Sequence, residues 1–144
     1  MGGRDENHKS QVCNCARRDG GRGNAFVHAG GSCKGQEIGP KEGREIAPGV
    51  RVVEVGTGNS DIPAYKSISI VDVVFQPGAA APAMVMDNDM VCTIAAGEFT
   101  IKKADKQFKL KEGDMYTCSK GKTEAAANTS KVVGIHRIAV LIPA

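Results

Sequence analysis

Short stretches of β-branched and alternating apolar residues dominate the sequence from residue 49 onward. In Tyr65–Phe75, for example, Ile68 and Ile70 alternate with Ser67 and Ser69, which is the period of a half-buried strand. Turn-forming residues such as Gln76-Pro77-Gly78 separate these stretches. The pattern predicts strands at Arg51–Val55, Tyr65–Phe75, Ala83–Met86, Met90–Ala95, Glu98–Lys103, Gln107–Lys111, Met115–Cys118 and Lys131–Ile142.

The clearest local unit is a predicted hairpin formed by Glu98–Lys103 and Gln107–Lys111. Its alternation places four apolar side chains on one side, and these form the expected inward set: Phe99, Ile101, Phe108 and Leu110. Strands that recur at intervals of about 8–12 residues, with polar turns between them, are typical of a sandwich or closed barrel. The pattern therefore predicts an all-β domain over residues 49–144.

Residues 1–48 have a different composition. They contain ten of the eighteen glycines and few large apolar side chains, with no periodic pattern. Such a segment cannot bury enough apolar surface to offset the entropy of ordering. We therefore expect a disordered, glycine-rich N-terminal extension over residues 1–48.

Charge and composition exclude several classes of function. The net charge of +3 is mild, tryptophan is absent, and no block of Lys and Arg is dense enough to indicate nucleic-acid binding. No apolar stretch approaches the roughly 18 residues that a membrane-spanning helix needs, and no secretory signal is visible. The five cysteines show no disulfide spacing pattern, which favours a reducing compartment. These features predict a cytoplasmic protein with neither a nucleic-acid nor a membrane partner.

The stretch from Gly78 to Gly97 resembles the first motif of the cupin family, G-x5-H-x-H-x3-E-x6-G. Both glycines match, and the interval between them is intact. The positions that hold His, His and Glu in the family are occupied by Met84, Met86 and Met90.

The stretch from Gly113 to Asn128 is similar to the second cupin motif, G-x5-P-x-G-x2-H-x3-N. Gly113, Gly121 and Asn128 match, whereas Ser119 replaces the proline and Glu124 stands in the last histidine position. The resemblance covers about two thirds of the chain. It implies a double-stranded β-helix, the jelly-roll barrel of the cupins, with a site in its mouth. By analogy it also implies a homodimer, with Ala139, Leu141 and Ile142 near the C-terminus as candidate interface residues.

The substituted positions change the chemistry that the resemblance implies. Because thioethers bind Fe, Mn, Ni and Zn weakly, we do not expect a metal-dependent dioxygenase or isomerase of the usual His-ligated kind. Three methionines with a carboxylate suit Cu(I) instead, so a copper ion held by Met84, Met86, Met90 and Glu124 is the metal that this sequence favours. Cys92 shares a strand face with Met90 and joins the expected pocket residues.

The same methionines also suit packing, or the lining of an apolar ligand pocket with Glu124 as its polar group. A third alternative is catalysis without a metal, in which Glu124 transfers protons together with His136 or Tyr116. His136 is the one histidine in the predicted barrel, and it lies in the last strand.

The sequence thus predicts a small cupin barrel of non-enzymatic type that binds a small, largely apolar molecule. A Cu(I)-binding protein and a metal-independent enzyme remain open as alternatives.

Overall fold

The structure, a computed structural model, describes residues 42–144, and all of the regular structure in this range is β. The predicted disorder of the N-terminal extension concerns residues that, up to residue 41, lie outside the described part. The ten strands are β1 (Arg44–Ala47), β2 (Val50–Asn59), β3 (Tyr65–Phe75), β4 (Ala80–Val85), β5 (Asp89–Ala96), β6 (Glu98–Lys103), β7 (Lys106–Lys111), β8 (Met115–Cys118), β9 (Thr123–Asn128) and β10 (Gly134–Pro143).

The strands form two antiparallel sheets, and the buried apolar side chains form two clusters. The first sheet has the order β1-β2-β3-β10-β5-β8, and the second has the order β4-β9-β6-β7. Several connections between consecutive strands, such as β3 to β4 and β5 to β6, carry the chain from one sheet to the other. The predicted all-β jelly-roll architecture is therefore confirmed.

Two strands lie where the sequence pattern did not predict them. Strand β1 lies within the segment that was expected to be disordered, and it pairs with β2. Regular structure therefore begins before residue 49. Strand β9 is rich in alanine and has low intrinsic β propensity, but it pairs with β4 on one side and β6 on the other. The last strand begins at Gly134 rather than Lys131, and the preceding Val132 and Val133 are exposed.

The core lies between the sheets and is formed mainly by large apolar side chains. Phe75 and Phe99 meet edge to face at the centre, with ring centroids 5.0 Å apart. Phe99 and Ile101 of the predicted inward set are fully buried, while Phe108 and Leu110 are half-buried and pack against the same cluster.

The four glycines of the two motifs all adopt positive φ, between 76° and 89°. At Gly97 the turn also leaves little space for a side chain. A Cβ atom built on Gly97 would lie 3.0 Å from the Cα of Gly134 and 3.1 Å from the Ser130 hydroxyl. The backbone conformation and the close approach of β10 both therefore require glycine at this position.

Asn128 links three backbone segments at the end of the barrel where β9 ends. Its buried side-chain amide donates to the carbonyl oxygens of Phe75 (3.2 Å), Gln76 (3.3 Å) and Val132 (2.8 Å). Its Oδ1 accepts from the backbone N–H (3.0 Å) and the hydroxyl (2.7 Å) of Ser130. These bonds hold residues 130–132 in a loop, which explains why β10 starts later than predicted.

No helix long enough and apolar enough to cross a membrane occurs within residues 42–144.

Candidate functional site

An apolar cavity of about 200 Å³ opens between the two sheets, near the start of β9. Side chains of β3, β5 and β10 form one wall, because alternate residues of each strand point inward. Residues of β4, the segment after it and β9 form the other wall. The lining residues are Ile46, Val52, Val71, Val73, Phe75, Ala81, Pro82, Met84, Met86, Met90, Glu124, Ala126, His136, Ile138 and Val140.

The four residues in the substituted ligand positions all line this cavity. Met84 lies directly across from Glu124 in the pairing of β4 with β9. Met84 is about half exposed at the mouth, Met86 is half-buried, and Met90 is buried in the wall. Cys92, which was predicted to line the pocket, does not reach it. Its side chain is fully buried beside Met90 and Cys118.

The polar part of the cavity is formed by Glu124 and His136, and both are more than nine-tenths buried. Tyr116 of β8 joins them. Its hydroxyl donates to Glu124 Oε1 at 2.5 Å and lies 3.1 Å from His136 Nε2, and its ring stacks on the imidazole. The structure thus brings the three predicted proton carriers into one hydrogen-bonded chain.

The order of donors along this chain follows from the number of protons available. Tyr116 has a single hydroxyl proton, which is directed to Glu124, so His136 Nε2 satisfies its contact by donating to the tyrosine oxygen. Burial lowers the pKa of His136 from 6.5 to about 4, so the imidazole is neutral at pH 7. Burial, reinforced by its neighbours Cys92 and Glu124, raises the pKa of Tyr116 above its ordinary value of 10, so the phenol keeps its proton.

The second oxygen of Glu124 has no hydrogen-bond partner among the described residues. The Lys103 ammonium group lies 3.8 Å from Oε2, within range of an ion pair but too far for a hydrogen bond. Lys103 instead donates to the carbonyl oxygen of Thr117 at 2.7 Å and lies 5.0 Å from the centroid of the Tyr116 ring. Glu124 Oε2 is the one buried side-chain oxygen or nitrogen in residues 42–144 that lacks a hydrogen-bond partner, which marks a place for a donor from a bound molecule.

The two cysteines of the described range are unsuited to act as nucleophiles. Burial, together with the nearby Glu124 charge, raises the pKa of Cys92 to about 12. Burial likewise raises the pKa of Cys118 to about 11, again with a contribution from Glu124. Both side chains are therefore thiols at neutral pH and pack as small apolar groups.

The donor set does not fit the Fe, Mn, Ni or Zn sites that are common on this kind of barrel. Residues 42–144 contain no group of three or more His, Cys, Asp or Glu side chains that could hold a metal ion. The cavity offers three thioethers, one carboxylate and one imidazole that contacts Tyr116. Soft thioethers fit Cu(I), for which Met84, Met86, Met90 and Glu124 would be the ligands.

A larger hollow of about 570 Å³ lies elsewhere, lined by Gly97, Glu98, Lys111, Glu112 and residues 129–132. It is open to solvent and bordered by charged side chains. No buried side chain without a hydrogen-bond partner lies there, among the residues that the structure describes. The cavity next to Glu124 is therefore the stronger candidate site.

Comparison with solved structures identifies the fold. A protein with a double-stranded β-helix domain from Klebsiella pneumoniae has a TM-score of 0.56 and 18% identity, covering 70% of this chain and 84% of that one. KdgF from a Halomonas species has a TM-score of 0.55 and 16% identity, covering 68% and 84%. A cupin superfamily protein from Desulfitobacterium hafniense has a TM-score of 0.51 and 23% identity, covering 70% and 83%.

These likenesses show that the chain has the cupin fold, as the motif frame predicted. No protein-family model matches the sequence, and no curated protein matches it. At these identities the similarity shows the fold alone, so a function has to be argued from the residues of the cavity.

Lys103 is the site residue that the sequence pattern missed. Its place in a lysine-rich stretch favours a solvated strand face, yet its side chain is only 18% exposed. The available signal was its position two residues after Ile101, on the inward side of β6.

Proposed function

We propose that this protein binds a small, largely apolar molecule in the cavity lined by its methionines and Glu124. One observation carries the proposal: a cavity with apolar walls contains a single buried carboxylate oxygen that lacks a hydrogen-bond partner among the described residues. Apolar walls with one or two placed polar groups are typical of small-molecule sites.

The size of the cavity limits the ligand. A dry cavity of about 150 Å³ lined by aliphatic side chains holds one benzene molecule, and the cavity here measures about 200 Å³. The expected ligand is therefore about the size of one substituted six-membered ring.

Toluene is a suitable first probe because it tests the apolar cavity without requiring a polar contact. We expect saturating toluene to raise the thermal unfolding midpoint of the full chain, since a ligand that binds only the folded state stabilises it. Ala81→Leu extends a side chain into the cavity and should abolish most of this increase. Ala83→Leu, on the same strand but outside the cavity, is the matched control and should behave as wild type. Equal stabilisation of wild type and Ala81→Leu would refute binding in this cavity.

A metal-independent enzyme is the second candidate, and the hydrogen-bonded chain through Tyr116 favours it. Tyr116 holds one oxygen of Glu124 and leaves the other available to accept a proton from a substrate. A carboxylate shielded from water in an apolar cavity is a suitable general base for removing a proton next to a carbonyl group. The carbon acid would become an enolate, and Glu124 would return the proton.

Deuterium exchange into cyclopentanone, followed by proton NMR in D₂O, tests this activity. The enzyme hypothesis expects exchange faster than in buffer for wild type, and loss of that acceleration in Glu124→Gln. Exchange at the buffer rate, in a protein that still binds toluene, would assign the cavity to binding alone.

Copper binding is supported by the common position of Met84, Met86 and Met90 along one cavity. A Cu(I) titration of the full chain against a competing chelator, under reducing and anaerobic conditions, compares wild type with the triple leucine variant of these positions. Both proteins contain Cys13, Cys15 and Cys33, so the difference between their Cu(I) affinities measures binding in the cavity. Tight one-to-one binding that is lost in the variant would establish a copper site, and equal binding would exclude it.

A further inference from the structure

We infer that the ligand of this cavity is a neutral single-ring phenol, an inference that rests on the binding function proposed above. Three independent features of the cavity lead to this class: its balance of charge, its unsatisfied acceptor and its three thioethers.

The charges next to the cavity already compensate one another. The negative charge of Glu124 is matched by the Lys103 ammonium group at 3.8 Å. Tyr116 keeps its proton, and His136 is neutral because burial lowers its pKa to about 4. A carboxylate, a phosphate or a protonated amine would therefore add an uncompensated charge to a buried site, which is costly. The expected ligand is neutral.

The unsatisfied group requires a hydrogen-bond donor on the ligand. Glu124 Oε2 can only accept, and within the described residues no oxygen or nitrogen donor lies within hydrogen-bond distance of it. A hydrocarbon would leave this oxygen unsatisfied and would also exclude water from it. A hydroxyl group satisfies it, and a phenolic hydroxyl is a stronger donor to a carboxylate than an alkyl hydroxyl.

The walls favour an aromatic ring over a saturated one. Met84 of β4, Met86 of the segment after β4 and Met90 of β5 all line the cavity, so it offers thioethers from both of its walls. Contacts between a thioether and an aromatic edge stabilise a complex by up to about tenfold each, and a cyclohexane ring gains no such contribution. A single aromatic ring also matches the volume.

NMR of the full chain labelled with ¹³C at its methionine methyl groups tests this inference. The titrated probes are phenol, cyclohexanol, anisole and benzoate. We expect phenol to shift the methyl resonances of Met84, Met86 and Met90 through the ring current, while Met115, exposed at 63% and outside the cavity, serves as the internal control. Anisole, which has the ring and the oxygen but no donor, should bind about tenfold more weakly. Benzoate should not bind.

Two variants test the separate contributions to phenol binding. In Glu124→Gln the acceptor becomes an amide that can donate, so the preference for phenol over anisole should shrink or reverse. In the Met84→Leu/Met86→Leu/Met90→Leu variant, the ratio of phenol to cyclohexanol affinity should fall about threefold or more. Met115→Leu is the matched control and should leave that ratio unchanged.

The outcomes separate this inference from the function on which it rests. If anisole or toluene binds as tightly as phenol in wild type, the cavity binds ligands but the phenol class is wrong. Binding of benzoate in preference to phenol would overturn the charge argument. If neither the four probes nor toluene shifts the cavity methionines, the proposed function fails as well.

Discussion

Tyr116 is the residue on which the geometry of the site depends most directly. Its hydroxyl contacts Glu124 Oε1 and His136 Nε2, and both of those side chains are buried. Neither can recover the lost contact from bulk water if the hydroxyl is removed.

Tyr116→Phe should therefore lower the free energy of unfolding by about 1–3 kcal/mol, the range for leaving buried polar groups unsatisfied. Chemical denaturation measures this. Tyr65→Phe is a matched control, because the Tyr65 hydroxyl makes no hydrogen bond with any described residue, and its effect should stay within about 0.5 kcal/mol. Equal effects of the two substitutions would show that the Tyr116 hydroxyl is not a structural link.

His136 should make stability depend on pH. Burial lowers its pKa from 6.5 in the unfolded chain to about 4 in the folded protein. Between these values the unfolded state binds more protons, so the free energy of unfolding falls as the pH falls from about 6.5 to 4. The loss attributable to this group is about 3 kcal/mol.

Urea denaturation at several pH values between 4 and 7 checks this expectation. His136→Gln removes the titrating group, so the pH dependence of the variant should be shallower than that of wild type over this range. Identical slopes for wild type and variant would contradict a buried neutral imidazole.

At the scale of the strands, the turn at Gly97 is the connection least tolerant of change. Gly97→Ala places a Cβ against Gly134 in a backbone conformation that costs L residues about 1–3 kcal/mol. We expect a loss of unfolding free energy of this size. Gly58→Ala, in β2 with open space around the added Cβ, should change stability by about 0.5 kcal/mol or less. If both variants are as stable as wild type, the turn does not hold β5, β6 and β10 as described.

Strands with strong patterns were predictable from sequence, and strands that depend on their partners were not. Tyr65–Phe75 and Glu98–Lys103 lie where their alternation placed them. Strand β9 carries little pattern of its own, because Ala125, Ala126 and Ala127 have low β propensity, and its two neighbouring strands determine its conformation.

The candidate site likewise has a part that was predictable from sequence and a part that was not. The motif frame placed Met84, Met86, Met90 and Glu124 at the mouth of the expected barrel, and all four line one cavity of the structure. The hydrogen bonds of Tyr116 and the position of Lys103 depend on the pairing of β5 with β8 and on the packing of two sheets, which no local pattern encodes.

At the scale of the whole molecule, the predicted homodimer stays a prediction. Ile138 and Val140 line the cavity, so Ala139 and Leu141 lie on the outer face of β10, where they pair with Ile70 and Ile68 of β3. Ile142 lies on the opposite face of the strand from these residues.

This outer face is the expected dimer interface. Sedimentation equilibrium of wild type should give twice the chain mass, and Leu141→Lys should give the monomer mass while keeping the native circular dichroism spectrum. A monomeric wild type would exclude the homodimer.

The decisive experiment is a crystal structure of the full chain grown with 4-bromophenol, with bromine located by its anomalous signal. We expect one ring in the cavity between the sheets, with its hydroxyl within hydrogen-bond distance of Glu124 Oε2. Bromophenol bound only at the surface, or a cavity filled by repacked methionine side chains, would contradict it.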